Sequence, residues 1–280
     1  MVGKREGIIL LDNGSLRAGA TLQLRQLAAA LGSCLGQEVH PVSLLHSSKV
    51  AAEELGGEKA MTLVPFMRAQ RELGVSRFII VPLFFGPSGA LVDYLPKRVK
   101  DLHDEGWAEL EVEVAASLVH AGDRRVAKIM AELVRERIAE KGWVRPAVAM
   151  CDHGTPVREV NAVREIVAEQ LSEELGDVVK VVRACSMERR EGAEYDFNEP
   201  LLEKLLGQEG FDGQVVVSML FAGPGRHAGA GGDVAMICDS ARERCEGLET
   251  VMSDLVGRKV EALAEVLADR YREHIGVVRK

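Results

Sequence analysis

The chain repeats itself, and this constrains its fold more than any other feature. Residues 8–16 read IILLDNGSL and residues 148–156 read VAMCDHGTP. In both, an apolar run ends in Asp, a polar residue, Gly and then Ser or Thr, so that Asp12 pairs with Asp152 and Gly14 with Gly154. A second match sets FIIVPLFFGPSGA (78–90) against VVVSMLFAGPGRH (215–227) and pairs Leu83, Phe84, Gly86 and Pro87 with Leu220, Phe221, Gly223 and Pro224. Both matches fall at nearly the same spacing, which marks the duplication of a whole structural unit.

Within each half the pattern is strand then helix, four times over. Residues 178–185 (VVKVVRAC) and 214–221 (QVVVSMLF) are short, β-branched and continuously apolar, as strands buried on both faces are. Val160, Val163, Val167 and Leu171 recur at helical spacing after the DHGTP turn. Alternation of this kind predicts α/β architecture, with parallel strands joined by right-handed crossovers. The joint is expected at 141–146 (KGWVRP), where Gly142 and Pro146 end a helical pattern running from Arg124 to Ile138. That gives domains 1–143 and 144–280, the second closing on an amphipathic helix over 255–271.

Composition excludes several classes of function. A net charge of −8 disfavours non-specific nucleic-acid binding, which needs a basic face to displace counterions. No apolar run approaches the length of a membrane span or of a signal peptide's apolar region. The 5 cysteines are odd in number and lack CxxC spacing, so they read as reduced thiols in a cytoplasmic protein.

Ligands of open α/β sheets bind at the carboxyl ends of the strands. His153 lies just past one such end, and His227 lies in the glycine-rich loop that follows another. The paired positions in the first half are Asn13 and Ala90. A single histidine at a strand end is more often a hydrogen-bonded turn residue than a catalyst. Two on one sheet, both absent from the sister copy, point to function, because imidazole is the commonest metal ligand and proton carrier. Around His227, the glycine-rich loop with Gly225, Arg226 and Gly229 presents bare backbone N–H groups and lets a flat ligand approach closely. The remaining histidines, His40, His46, His103, His120 and His274, read as surface or loop residues.

These motifs resemble the sirohydrochlorin chelatases (CbiX/SirB type, class II chelatase superfamily) in their tandem two-domain form. The resemblance covers nearly the whole chain. It rests on DHGTP with His153, RACSMERR with Glu188, and LFAGPGRHAGAGGD with His227. In the family turn an Asp usually lies four residues after the histidine; here Asp233 lies six after His227, as a two-residue insertion would place it. The resemblance implies two flavodoxin-like, chelatase-like domains related by a pseudo-twofold, each a four-stranded parallel sheet flanked by helices. It implies ATP-independent insertion of Co²⁺ or Fe²⁺, as substrate, into sirohydrochlorin, toward cobalamin or sirohaem. No organic cofactor, nucleic acid or membrane partner is expected, and the chain would be a monomer or homodimer.

His153, His227 and Glu188 would handle the metal and the protons, although Asp196 or Glu199 could supply the carboxylate in place of Glu188. Arg17, Lys97, Arg98, Arg183, Arg189, Arg190 and Arg226 are candidate anchors for the substrate's carboxylates. The rival reading is a non-enzymatic tetrapyrrole- or metal-binding protein derived from a chelatase. The His-Gly pair also invites comparison with histidine phosphatases, but those place Arg before the histidine, where this chain has Asp152.

Overall fold

The computed structural model describes residues 5–120, 122–229 and 231–277. Packing divides the chain into two units, one of residues 1–118 with 260–280 and the other of residues 119–259.

The first unit begins with β1 (Arg5–Asp12), whose Ile8, Ile9, Leu10 and Leu11 are buried. Helix α1 (Ala18–Leu35) buries Leu24, Leu27, Ala28 and Leu31, one face at helical spacing, and stops at Gly36 in the left-handed conformation. Then follow β2 (Val39–Ser43), β3 (Met61–Thr62), α2 (Leu63–Glu72), β4 (Val75–Pro82), α3 (Leu95–Asp104) and β5 (Glu111–Val114). The strands are parallel in the order β3-β2-β1-β4-β5. The sequence pattern predicts four strands here. The fifth, β3, is a two-residue edge strand paired to Val42 and Ser43, too short to carry a hydrophobic signature of its own.

The second unit runs through α4 (Arg125–Lys141), β6 (Ala147–Asp152), α5 (Arg158–Leu175), β7 (Val182–Ser186), α6 (Leu202–Leu205), β8 (Gln214–Met219), α7 (Asp233–Arg244) and β9 (Glu249–Met252). Its four parallel strands lie in the order β7-β6-β8-β9, which repeats β2-β1-β4-β5. The strand direction of growth reverses between β6 and β8, and such a switch point opens a crevice at the carboxyl edge of a sheet. β7 begins four residues later than the apolar run predicts, because residues 176–178 form a 3₁₀ turn.

The duplication extends to individual backbone bonds. Leu44 and Leu45 N–H donate to the carbonyls of Asp12 and Asn13, just as Met187 and Glu188 donate to Asp152 and His153. Leu83 N–H donates to Leu11 O and Leu220 to Cys151 O.

The expected boundary at 143/144 differs from the packing. Helix α4 follows the first half in sequence, yet its buried face (Val126, Ile129, Met130, Leu133, Val134) packs on α5 and β8 of the second unit. Helix α8 (Val260–His274) follows the second half, yet packs on α1 and β4 of the first. There Arg270, almost fully buried, donates to Ser117 O and Leu118 O at 3.0 Å each. The two halves have exchanged their last helices. Amphipathicity shows that a helix has a face to bury, but not which sheet receives it.

Helix α8 buries Leu263, Val266, Leu267 and Tyr271, each contributing roughly 1.5–3 kcal/mol. A chain lacking residues 260–280 should therefore lose amide-exchange protection in β1 and β4 while β6 and β8 stay protected. Loss confined to β6 and β8 would contradict this assignment of the helix.

Candidate functional site

Asp152 ends β6 and organises the turn that carries His153. Its Oδ1 accepts from Gly154 N–H at 3.1 Å and from the Ser186 hydroxyl at 2.6 Å. Burial raises the Asp152 pKa, opposed by the Ser186 hydrogen bond and by the charge of Arg164. Gly154 has φ +90, and a Cβ there would sit 1.9 Å from Glu188 O. Only glycine lets the ends of β6 and β7 approach this closely, which is what sets His153 beside Glu188.

His153 Nδ1 lies 3.0 Å from Gly154 O. A carbonyl oxygen can only accept, so this nitrogen carries a proton, and in the neutral ring Nε2 presents its lone pair. Glu188 Oε1 stands 3.5 Å from that Nε2. The ring of His227 meets His153 edge to face, with centroids 4.5 Å apart. His227 Nδ1 is bound to Asp233 Oδ2 at 2.6 Å, which fixes its tautomer in the same sense and leaves Nε2 as an acceptor. Asp233 is the first residue of α7, where the helix dipole favours its negative charge.

The loop holding His227 is closed by three backbone hydrogen bonds: Gly225 N–H to Ala228 O, Gly232 N–H to Gly229 O and Val234 N–H to His227 O. A Cβ on Gly232 would sit 2.8 Å from His227 O, so this glycine is demanded by close approach. The Gly232 N–H to Gly229 O bond lies between His227 and Asp233 in sequence, and the two side chains meet. Gly229 has φ +116, whereas a Cβ on Gly225 would meet nothing within 4 Å. Arg226 is 81% exposed, its Nε 3.8 Å from Asp233.

Of the alternative carboxylates, Glu199 is held by Arg189 at 2.9 Å and Lys204 at 2.8 Å, contacts that lower its pKa, with the Lys204 hydrogen bond the largest cause. Asp196 lies 3.2 Å from the same Arg189. Among the candidates, Glu188 is the carboxylate beside His153. Arg189, engaged by two acids, is thereby removed from the set of free cations, and Arg98 is likewise paired with Asp101 at 2.8 Å. Among the described residues, no group of three or more His, Cys, Asp or Glu side chains is arranged to hold a metal ion, His153, His227 and Glu188 included.

The first unit keeps the turn without its chemistry. Gly14 has φ +86, with a Cβ position 1.7 Å from Leu45 O, so Leu45 stands where Glu188 stands, and Asn13 stands at His153. Ala90 opens a π-helical turn leading into α3 and packs on the apolar core. Of the other histidines, His274 is bound to Glu113 at 2.9 Å and His40 stacks on Phe66 at 5.0 Å. His46 is exposed, with φ +66, in a tight turn just past β2.

No protein-family model and no curated protein matches the chain. In three dimensions it is similar to SirB from Bacillus subtilis, solved with Fe³⁺, at 13% identity over 96% of this chain and 95% of that one, with a TM-score of 0.64. SirB from Bacillus subtilis subspecies spizizenii, a sirohydrochlorin chelatase in complex with cobalt, matches at 14% identity, TM-score 0.62, with the same coverage of both chains, 96% and 95%. The fold is that of the sirohydrochlorin chelatases. A multi-domain Deinococcus radiodurans protein with structural similarity to chelatases matches at 19% identity and TM-score 0.63, over 99% of this chain and 56% of that one.

Burial raises both turn aspartates, and at Asp152 the charge of Arg164 opposes it. Asp12 is raised from 3.8 to about 6 by desolvation, opposed by Ser43 and Gly14, and its Oδ1 has no partner among the described residues. A raised carboxyl binds its proton more tightly in the folded chain, so its contribution is most favourable below the unfolded pKa and is lost as pH rises through the folded one. Between about pH 4 and 6, wild type should lose up to about 3 kcal/mol relative to Asp12→Asn. Denaturant unfolding of both proteins across that range checks it; parallel pH profiles would contradict it.

Proposed function

We propose that residues 119–259 carry the site of an ATP-independent chelatase that inserts Co²⁺ or Fe²⁺ into sirohydrochlorin, in cobalamin or sirohaem synthesis. The observation that carries this reading is the 3.5 Å approach of His153 Nε2 to Glu188 Oε1. With Nδ1 committed to Gly154 O, both facing atoms are acceptors, and two acceptors at that range call for a cation between them. A divalent metal or a proton satisfies them equally, and metal insertion needs both in turn.

In this reading the Nε2 atoms of His153 and His227 hold the incoming ion. Imidazole suits cobalt and iron, and two imidazoles with one carboxylate leave positions open for exchange. Asp233 keeps the His227 lone pair aimed outward. As the metal passes to the four pyrrole nitrogens, the ring loses two N–H protons; Glu188, 59% exposed, receives them one at a time and hands them to solvent. The bonds to the protein's nitrogens break as those to the ring form, and two protons leave for each divalent ion inserted. The fold likeness to SirB solved with Fe³⁺ and with cobalt supports the assignment.

No helix among the described residues is long and apolar enough to cross a membrane, and Cys34, Cys151, Cys185, Cys238 and Cys245 are free thiols. We place the protein in the reducing cytoplasm on that basis.

Mixing the protein with sirohydrochlorin and each metal in turn, and following the macrocycle's absorption, tests the reading. Metallation should outrun the protein-free rate, and His153→Ala or His227→Ala should each slow it by about 10²-fold or more. Asn13→Ala should change it little. Tetrapyrrole binding without metallation would favour the non-enzymatic binding protein instead.

A further inference from the structure

The segment between β7 and α6 carries a group of side chains that the metal chemistry does not use. Residues 193–198 form a 3₁₀ stretch that presents Tyr195 and Phe197, both half-buried, with ring centroids 6.4 Å apart. The Arg158 guanidinium lies over Phe197 at 4.6 Å and that of Arg190 over Tyr195 at 5.9 Å. Both arginines are exposed, and among the described residues neither has a carboxylate partner. Stacking on an aromatic face fixes the plane of a guanidinium while leaving its N–H edge free to donate.

Two buried polar residues hold this strap in place. Asn198, fully buried, accepts from Thr155 N–H and donates to Thr155 O, each at 2.9 Å, which pins the strap two residues from His153. Arg164, 2% exposed, donates to Asn198 O at 2.8 Å, Phe197 O at 3.1 Å and Glu199 O at 3.4 Å. It also donates to Ser186 Oγ at 2.7 Å, the hydroxyl that holds Asp152. Glu165 pairs with the same guanidinium at 2.6 Å, so its buried charge is balanced while its N–H groups hold three successive carbonyls of the strap.

The sister unit argues the same way. Helices α1 and α5 are both 18 residues long, and position for position Ala18 stands at Arg158 and Leu24 at Arg164. The corresponding stretch of the first unit, residues 46–62, contains no aromatic residue and no arginine. The half that kept the histidines also carries the whole strap.

We propose that Arg158 and Arg190, stacked on Phe197 and Tyr195, form a rigid docking strap that binds rim carboxylates of a planar polycarboxylate tetrapyrrole. The proposal rests on the chelatase reading for its ligand, but binding can be measured apart from metallation. Rigidity matters because a guanidinium held in position loses little side-chain entropy on binding.

The test is fluorescence titration of two metal-free porphyrins, the octacarboxylate uroporphyrin and the dicarboxylate deuteroporphyrin, with metallation of sirohydrochlorin followed separately. Wild type should prefer the octacarboxylate. The double variant Arg158→Gln with Arg190→Gln should weaken its binding about tenfold or more and erase that preference. The lysine pair, Arg158→Lys with Arg190→Lys, should recover only part of the loss, because an ammonium neither stacks nor donates in a fork. Unchanged affinity in the glutamine pair, or no carboxylate preference or binding in wild type, overturns the strap. Binding that behaves as expected without metallation would sink the chelatase reading and leave the strap standing. Metallation with unchanged affinity would do the reverse.

Discussion

The close approach of two strand ends, at Gly14 in one unit and Gly154 in the other, is the constraint on which the rest of the structure depends. At each, a left-handed glycine lies so near the neighbouring strand's carbonyl that a Cβ would fall at 1.7 or 1.9 Å from it. At each, a half-buried aspartate ties the turn to a serine on that neighbour, Asp12 to Ser43 and Asp152 to Ser186. This couples the first two strands of the sheet at their carboxyl ends and opens the crevice beside the third. Whatever side chains follow the aspartate and the neighbouring serine are then brought together. In the second unit they are His153 and Glu188; in the first they are Asn13 and Leu45.

The pair of units therefore separates fold from chemistry. The first unit retains the aspartate, the glycine, the serine and the backbone bonds, and it forms the same sheet order with one added edge strand. It has none of the ionisable groups at the turn except Asp12, whose charge is destabilised by burial. The second unit adds two further layers behind its histidines: Asp233 beneath His227, and Arg164 with Asn198 beneath the strap that adjoins His153. Asp152 shares Ser186 with Arg164, so the turn that carries His153 and the strap are braced by one hydrogen-bonded chain.

Much of this was legible in the residues. The turn declares itself because only glycine tolerates its conformation, and Asp is suited to holding the bare N–H groups that follow it. His153 and His227 stood out because their sister positions differ. The destinations of α4 and α8 were not legible, because an amphipathic stripe carries no address. The pairing of His227 with Asp233 depends on how a glycine-rich loop closes, which spacing alone obscures: the longer gap reads as an insertion, yet the two side chains meet at 2.6 Å. Nothing in the sequence sets Arg164 apart from the other charges of its helix, yet it is buried and bridges main-chain carbonyls that are distant in sequence. Contacts of that kind exist only once the chain has folded.

The central claim is that one half of a duplicated chain carries the metal chemistry while the other keeps only the scaffold. Calorimetric titration with Co²⁺ addresses it most directly, on wild type and on a variant carrying both His153→Ala and His227→Ala. The account predicts a single weak, reversible site per chain. It should weaken on acidification, as protons compete for the imidazole nitrogens, and disappear in the double variant. Binding that survives the loss of both histidines, or a second site of equal strength, would contradict it.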